Sequence, residues 1–231
     1  VVRRLGVVFG QRTQLWWDLP VRDSYELLAA MYGIKSREYQ ATLTRFDDLL
    51  EIGAFLDVPV RKLSLGQRMR ADLVAAWLHR PPVVFLDEPT IGLDAVAKAR
   101  IRSFLQEINR TEGTTIMLTT HDMDDIERLC TRVMVINHGR LVYDGSLEGL
   151  RQAVGAPSTL RIEYAAPPGT APQGPWTLVS WEGNVVTIAF DRSRCTAADV
   201  IGRLGQYGEI RDVYMSEPDI ESVVEQVYRR G

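Results

Sequence analysis

Val83-Val84-Phe85-Leu86-Asp87-Glu88-Pro89-Thr90 is the stretch whose reading decides the fold. A short, continuous apolar run bounded by a turn predicts a strand buried on both sides, as in a parallel sheet. It ends on two adjacent carboxylates, at the strand end where open α/β sheets hold their ligands. Burying that pair is unfavourable unless a cation or a proton-transfer role compensates. An Asp that helps hold Mg²⁺, followed by a Glu that orients or deprotonates water, suits hydrolysis of a phosphoanhydride. For the pair in isolation, an acidic loop capping a structural strand is the favoured reading.

The surrounding pattern supports the sheet. Downstream come Ile91-Gly92-Leu93-Asp94, a helical stripe over 95–110, an apolar run over 115–118 and then Thr119-Thr120-His121-Asp122. A short helix over 123–129 and another strand-like run over 133–136 follow. Buried strands alternating with helices predict a parallel α/β sheet. On neighbouring strands, Glu88 and His121 fall at the same sheet edge. There an imidazole could contact a phosphate and the attacking water. Upstream, helices are expected over 24–32 and 37–52, and a third starts near Ser64. These three form a separate helical lobe. Leu63-Ser64-Leu65-Gly66-Gln67 opens the third with a hydroxyl, a glycine and free backbone N–H groups, an arrangement suited to anions and equally to simple helix capping. The chain opens without Met, on a strand-like run over 5–9, and Gln11 to Pro20 reads as a loop that includes Trp16 and Trp17.

Beyond residue 153 the texture changes. Strand-like runs over 160–164, 176–181 and 185–190 surround a Pro/Gly-rich loop and a turn at Gly183-Asn184. A helix over 196–207, a strand over 210–215 and a last helix led by Pro218 complete a small α+β module. The 231 residues thus suit one mid-sized domain and a smaller one. A net charge of −3 and the lack of long basic runs predict no nucleic-acid partner. Cys130 and Cys195 lack metal-ligand spacing and read as thiols of a reducing compartment. No run approaches the roughly 20 apolar residues of a membrane span.

Taken in order and spacing, these residues resemble the ABC transporter ATPases, specifically the type-2 bacterial exporter group of drug and viologen exporters. Residues 63–67 resemble the family's signature loop, 83–88 its Walker B strand, 91–94 its D-loop and His121 its switch histidine. Residues 5–11 resemble the Q-loop, with Gln11 as the glutamine and Gln14 the lesser candidate. Leu65 stands where the family usually has Gly, a variant of the exporter group. The resemblance implies an α/β partial nucleotide-binding domain over 1–152, a parallel sheet plus a helical lobe at about 21–80, and an accessory α+β domain over 153–231. It implies ATP and Mg²⁺ as cofactors. Asp87 and Gln11 would serve the metal, Glu88 and His121 catalysis, and Ser64, Gly66, Gln67, Gln11 and Asp94 the nucleotide across a pair of subunits. The implied partners are a second ATPase subunit and a membrane permease, at the inner face of the cell membrane. Trp16 and Trp17 would meet the permease or pack under the lobe.

No Gly-x-x-x-x-Gly-Lys-Ser/Thr occurs in the 231 residues. That loop cradles the phosphates in the family, so the expectation is a chain truncated ahead of the Q-loop and inactive alone. A non-hydrolytic regulatory or scaffold subunit is the alternative. A soluble ABC ATPase of translation or DNA repair is a third, disfavoured by the single cassette and the lack of coiled-coil arms.

Overall fold

A computed structural model of the chain describes residues 2–10, 12–154, 157–192, 194–216 and 223. They fall into two compact units, Val1–Leu129 and Cys130–Gly231. The expected helix led by Pro218 lies outside the described residues.

The first unit holds a parallel sheet of three strands, β1 (Leu5–Phe9), β2 (Val83–Asp87) and β3 (Thr115–Thr119), in the order β1-β2-β3. Their carboxyl ends are in register, with Phe9 beside Asp87 and Asp87 beside Thr119. Three helices come between β1 and β2: α1 (Val21–Tyr32), α2 (Ser36–Leu50) and α3 (Leu65–Trp77). β2 runs through a turn into α4 (Ala95–Glu112), and β3 into the short α5 (Met123–Leu129). Helix α3 is buried almost all round from Ala71 to Trp77, so it forms the centre of this unit. Phe104 of α4 meets Trp77 and Phe46 edge-on, with ring centroids 5.5 Å apart in each pair. Such aromatic pairs stabilise beyond their buried area.

The expectation that β2 is buried on both sides is corrected. Val84 and Leu86 are buried, whereas Phe85 and Asp87 are exposed. The same side of the sheet leaves Phe9 and Met117 open to solvent. One face packs on the helices; no described element of this unit covers the other. The helix boundaries also shift. Helix α1 begins at Val21, behind Pro20. That start suits a Pro just ahead of the first turn, whose missing N–H goes unneeded there. Helix α2 begins at Ser36, with Lys35 as its N-cap, and ends at Leu50.

In the second unit, β4 (Val133–Asn137) is not a further parallel strand. It pairs antiparallel with β5 (Arg140–Gly145). The connecting His138-Gly139 has φ of 47° and 73°, the left-handed pair that a tight hairpin turn demands. Helix α6 (Leu147–Val154) follows. Strands β6 (Ser158–Tyr164), β7 (Trp176–Glu182), β8 (Val185–Phe190) and β9 (Ile210–Ser216) then form an antiparallel sheet in the order β7-β8-β6-β9. Leu160, Ile162, Tyr164, Val186, Ile188 and Phe190 alternate inward against Val200 and Leu204 of α7 (Ala197–Leu204). Helix α7 is capped by Thr196 and Asp199, each side chain bonding the other's backbone N–H. The compact grouping thus breaks after Leu129, upstream of the 152/153 boundary read from the sequence.

Candidate functional site

At the carboxyl edge of the parallel sheet the chain turns sharply after Asp87. Glu88 takes a φ of 50°, left-handed backbone that a non-glycine residue adopts only against steric resistance. The Glu88 N–H holds this turn by donating to the Thr119 carbonyl (3.1 Å) and to Thr119 Oγ1 (3.3 Å) on β3. Thr119 Oγ1 in turn donates to Asp87 Oδ1 at 2.6 Å. One β3 threonine therefore orients both carboxylate-bearing residues. On the other side, Gly10 N donates to the Asp87 carbonyl at 2.7 Å. A Cβ at position 10 would stand 2.5 Å from that oxygen and 2.6 Å from the Glu88 carbonyl, so only glycine allows this approach.

Glu88 and His121 meet: Nδ1 of the imidazole lies 2.9 Å from Glu88 Oε1. The His121 side chain is 71% exposed and that of Glu88 28%. The hydrogen bond and negative charge of Glu88 raise the His121 pKa above its ordinary value. With Nδ1 engaged, Nε2 is the ring nitrogen left to donate when the imidazole is protonated. Asp87 is exposed, contrary to the expectation of a buried pair, because its face of the sheet is the open one.

The turn after Glu88 is anchored from below. Pro89 and Thr90 are buried. Thr90 Oγ1 donates to the fully buried Asp125 carboxylate of α5, which also receives Arg102 of α4. Arg102 reaches Asp122 at 3.3 Å as well, and Lys98 pairs with Asp122. This cluster pins the segment that carries His121 against the turn that carries Glu88. The sequence reading did not single out Thr119, Thr90, Arg102 or Asp125. A threonine closing β3, another in the turn three residues past β2, and an acidic residue four positions after His121 were the available signals.

Asp94 does not stand free. It is the N-cap of α4, and its Oδ1 accepts from Ala97 N at 2.8 Å. Ser64 and Gln67 bond one another in a capping box: Gln67 N donates to Ser64 Oγ (3.2 Å), and Ser64 N to Gln67 Oε1 (2.9 Å). The Ser64 turn thus needs no ligand to be ordered. Its remaining N–H groups stay at the positive end of a 13-residue helix. Leu65 fills the space beside Gly92, where a Cβ would lie 3.0 Å from Leu65 Cδ2. Gly66 faces Ala97 and Leu93. The Ser64 turn and the 91–94 turn are therefore neighbours within one chain. Gln11 lies outside the described residues. Gln14, the lesser candidate, donates its side-chain amide to the carbonyls of Asp72 (3.1 Å) and Val7 (3.4 Å).

Asp72 is another residue the sequence reading passed over. It sits on the buried face of α3, 3% exposed. Its Oδ1 accepts from Thr13 Oγ1 at 2.8 Å and from Gln14 N at 3.1 Å. Burial pushes its carboxyl up to about 6, against the opposing pull of those hydrogen bonds.

The family model described as ABC transporter matches residues 2–91. The ABC transporter ATP-binding protein NatA of Bacillus subtilis is 29% identical over 153 residues, covering 66% of this chain and 62% of that protein. The Nod factor export ATP-binding protein I of Sinorhizobium fredii is 36% identical over 146 residues, covering 62% of this chain and 41% of that protein. A solved structure described as an ATP binding subunit of an ABC transporter superposes with a TM-score of 0.59 at 26% identity, covering 66% of this chain and 63% of the other. The chain thus spans less than two thirds of the length of each of these relatives. In sequence and fold the first unit, with its parallel sheet and helical lobe, is thus similar to ABC transporter ATP-binding proteins.

Proposed function

We propose that this chain is the ATP-binding and hydrolysing part of an ABC exporter, working with a separate membrane permease and a second ATPase subunit. The observation that carries the reading is the Glu88–His121 contact at 2.9 Å beside Asp87. It brings a carboxylate suited to act as base and an imidazole suited to reach a phosphate to one sheet edge, beside a second carboxylate suited to a metal. Asp87 suits Mg²⁺ held through water: it is a single exposed carboxylate, and Mg²⁺ is usually bound by one or two carboxylates with substrate phosphates and water completing the shell. Among the described residues no group of three or more acidic, His or Cys side chains forms a metal cage, which suits the same picture. When bound, Mg²⁺ would neutralise phosphate charge. Glu88 Oε1 is engaged by His121, and Oε2 is left to accept a proton from water. His121 would donate to the terminal phosphate through Nε2.

By the family resemblance, Ser64, Gly66 and Gln67 face nucleotide held on a partner subunit, Asp94 lies at the junction of the two subunits, and Gln11 senses the metal and couples to the permease. The exposed Trp16 and Trp17 are the surface offered to that permease. No helix among the described residues is long and apolar enough to cross a membrane, which suits a peripheral subunit at the inner face of the cell membrane. An export direction is favoured by Leu65 and by the Nod factor export relative. Residues 1–152 would make the nucleotide-binding domain and 153–231 an accessory domain with a dimerisation or regulatory role.

A second reading, a non-hydrolytic regulatory or scaffold subunit, is favoured by the lack of a Gly-Lys-Ser/Thr phosphate loop in the 231 residues. On either reading the 231-residue chain alone does not turn over ATP. A coupled phosphate-release assay tests this, and hydrolysis by the chain alone that Glu88→Gln abolishes would overturn it. In the assembled transporter the two readings part. Loss of turnover in Glu88→Gln supports the hydrolytic subunit, and unchanged turnover supports the scaffold.

A further inference from the structure

The chemistry proposed above makes no use of Asp72, a carboxylate enclosed in the most buried helix of the first unit. Every residue from Ala71 to Trp77 is buried. An apolar side chain would fit such a helix face without the desolvation that a carboxylate incurs. What the carboxylate does there is collect donors from the loop after β1. Oδ1 takes the Thr13 hydroxyl and the Gln14 N–H, and the Asp72 carbonyl takes the Gln14 side-chain amide. The Thr13 hydroxyl also accepts from Leu15 N at 3.1 Å. The near end of this loop is held elsewhere, by Gly10 N on the Asp87 carbonyl at 2.7 Å. The helix that bears Asp72 starts at the Ser64 turn, eight residues and roughly 12 Å away along its axis.

We propose that Asp72 is a positioning residue, a latch that joins the loop leaving the Asp87/Glu88 edge to helix α3, so that the Ser64 turn moves with that loop. The assignment of the two ends as nucleotide-facing rests on the function proposed above; the latch itself rests on the hydrogen bonds. A hydrogen-bonded tether passes motion between the ends, whereas a greasy contact would let the loop slide. Because both donors converge on Oδ1, Asp72→Asn preserves the acceptor and removes only the charge. Asp72→Ala removes the acceptor altogether.

Two measurements test the latch. Amide exchange on the 231-residue chain is expected to run about tenfold or more faster over residues 12–16 in Asp72→Ala, and to stay near wild type in Asp72→Asn. Thr13→Val, which leaves α3 intact, is expected to fall between them. In the transporter assembled with its permease, Asp72→Ala is expected to lower kcat about tenfold at unchanged KM for ATP, with Asp72→Asn restoring it to within about twofold. The latch is overturned if loop exchange in both Asp72→Ala and Thr13→Val matches wild type, or if Asp72→Asn is as slow as Asp72→Ala. Glu88→Gln is the parallel control. If it keeps full turnover, the hydrolytic reading falls, while the exchange data still judge the latch.

Discussion

Two carboxylate clusters lie close together in sequence at the end of the parallel sheet, and they are built in opposite ways. Asp125 is fully buried and completely engaged: Thr90 and Arg102 hold its two oxygens, and Asp122 and Lys98 extend the network. Glu88 is partly open, has one oxygen on an exposed imidazole, and sits on left-handed backbone that its neighbours must hold in place. The first cluster spends its charge inside the protein and is a structural joint. The second leaves part of its carboxylate open to solvent. Proximity to a sheet edge does not separate the two roles; the degree of internal satisfaction does.

The largest expected effect breaks the comparison at the open cluster. If the proposed function holds, Glu88→Gln reduces ATP turnover of the assembled transporter by roughly 10²–10⁴-fold, the range for losing a general base. Its melting temperature should stay within about 1 °C of wild type, since Gln retains an acceptor for His121. A large drop in melting temperature would mean that Glu88 is a structural joint as well.

The mirror-image test is Asp125→Ala. Breaking a buried ion pair by removing one partner typically destabilises by 3–5 kcal/mol, and Arg102, the partner of Asp125, is only 12% exposed. Arg102 keeps Asp122 at 3.3 Å, so about 3 kcal/mol is expected in urea unfolding of the first unit. Near-zero change would remove the distinction between the clusters.

Asp72 sharpens the contrast, being buried like Asp125 but with no cation among its hydrogen-bond partners. Besides burial, the groups that act on it are Thr13, Gln14 and the charge of Arg68. Its carboxyl is raised to about 6 in the folded state, so between the ordinary carboxylate value and 6 the folded chain holds a proton that the unfolded chain has lost. Stability contributed at low pH is therefore given up as pH rises through 6. Asp72→Asn should match wild type near pH 4 and exceed it by on the order of 2–3 kcal/mol at pH 7. Denaturant melts across pH 4–7 read this directly, and parallel pH profiles for the two proteins would exclude a buried ionising carboxyl.

The smallest effect concerns the Ser64 turn. Ser64→Ala removes one half of the capping box and should cost about 1 kcal/mol of stability. If binding at that turn matters beyond capping, turnover in the assembled transporter should fall by far more than such a loss explains.

Much of the site was readable because its residues are contiguous. Asp87 and Glu88 follow an apolar run, His121 follows the next one, and parallel strands put both at one edge whatever their detailed packing. Thr119 and Asp125 were not readable in the same way. Their importance lies in which donor faces which acceptor across 31 to 35 residues of chain, and a lone threonine or aspartate carries no periodic mark of that. The antiparallel β4–β5 hairpin escaped because His138-Gly139 was not read as a left-handed turn, although Gly at its second position is the usual sign.

By itself the sequence determined the order of the motifs, the helical lobe between β1 and β2, and the parallel pairing of strands that alternate with helices. Those features depend on local periodicity and chain order, which are properties of the string of residues. Tertiary structure decided which carboxylates are exhausted inside the fold and which remain available. It also decided that Asp72 binds the loop after β1, and that one face of β2 is open. Each of these depends on the few ångströms between groups distant in sequence, where desolvation and hydrogen bonding are settled and no residue pattern records the outcome.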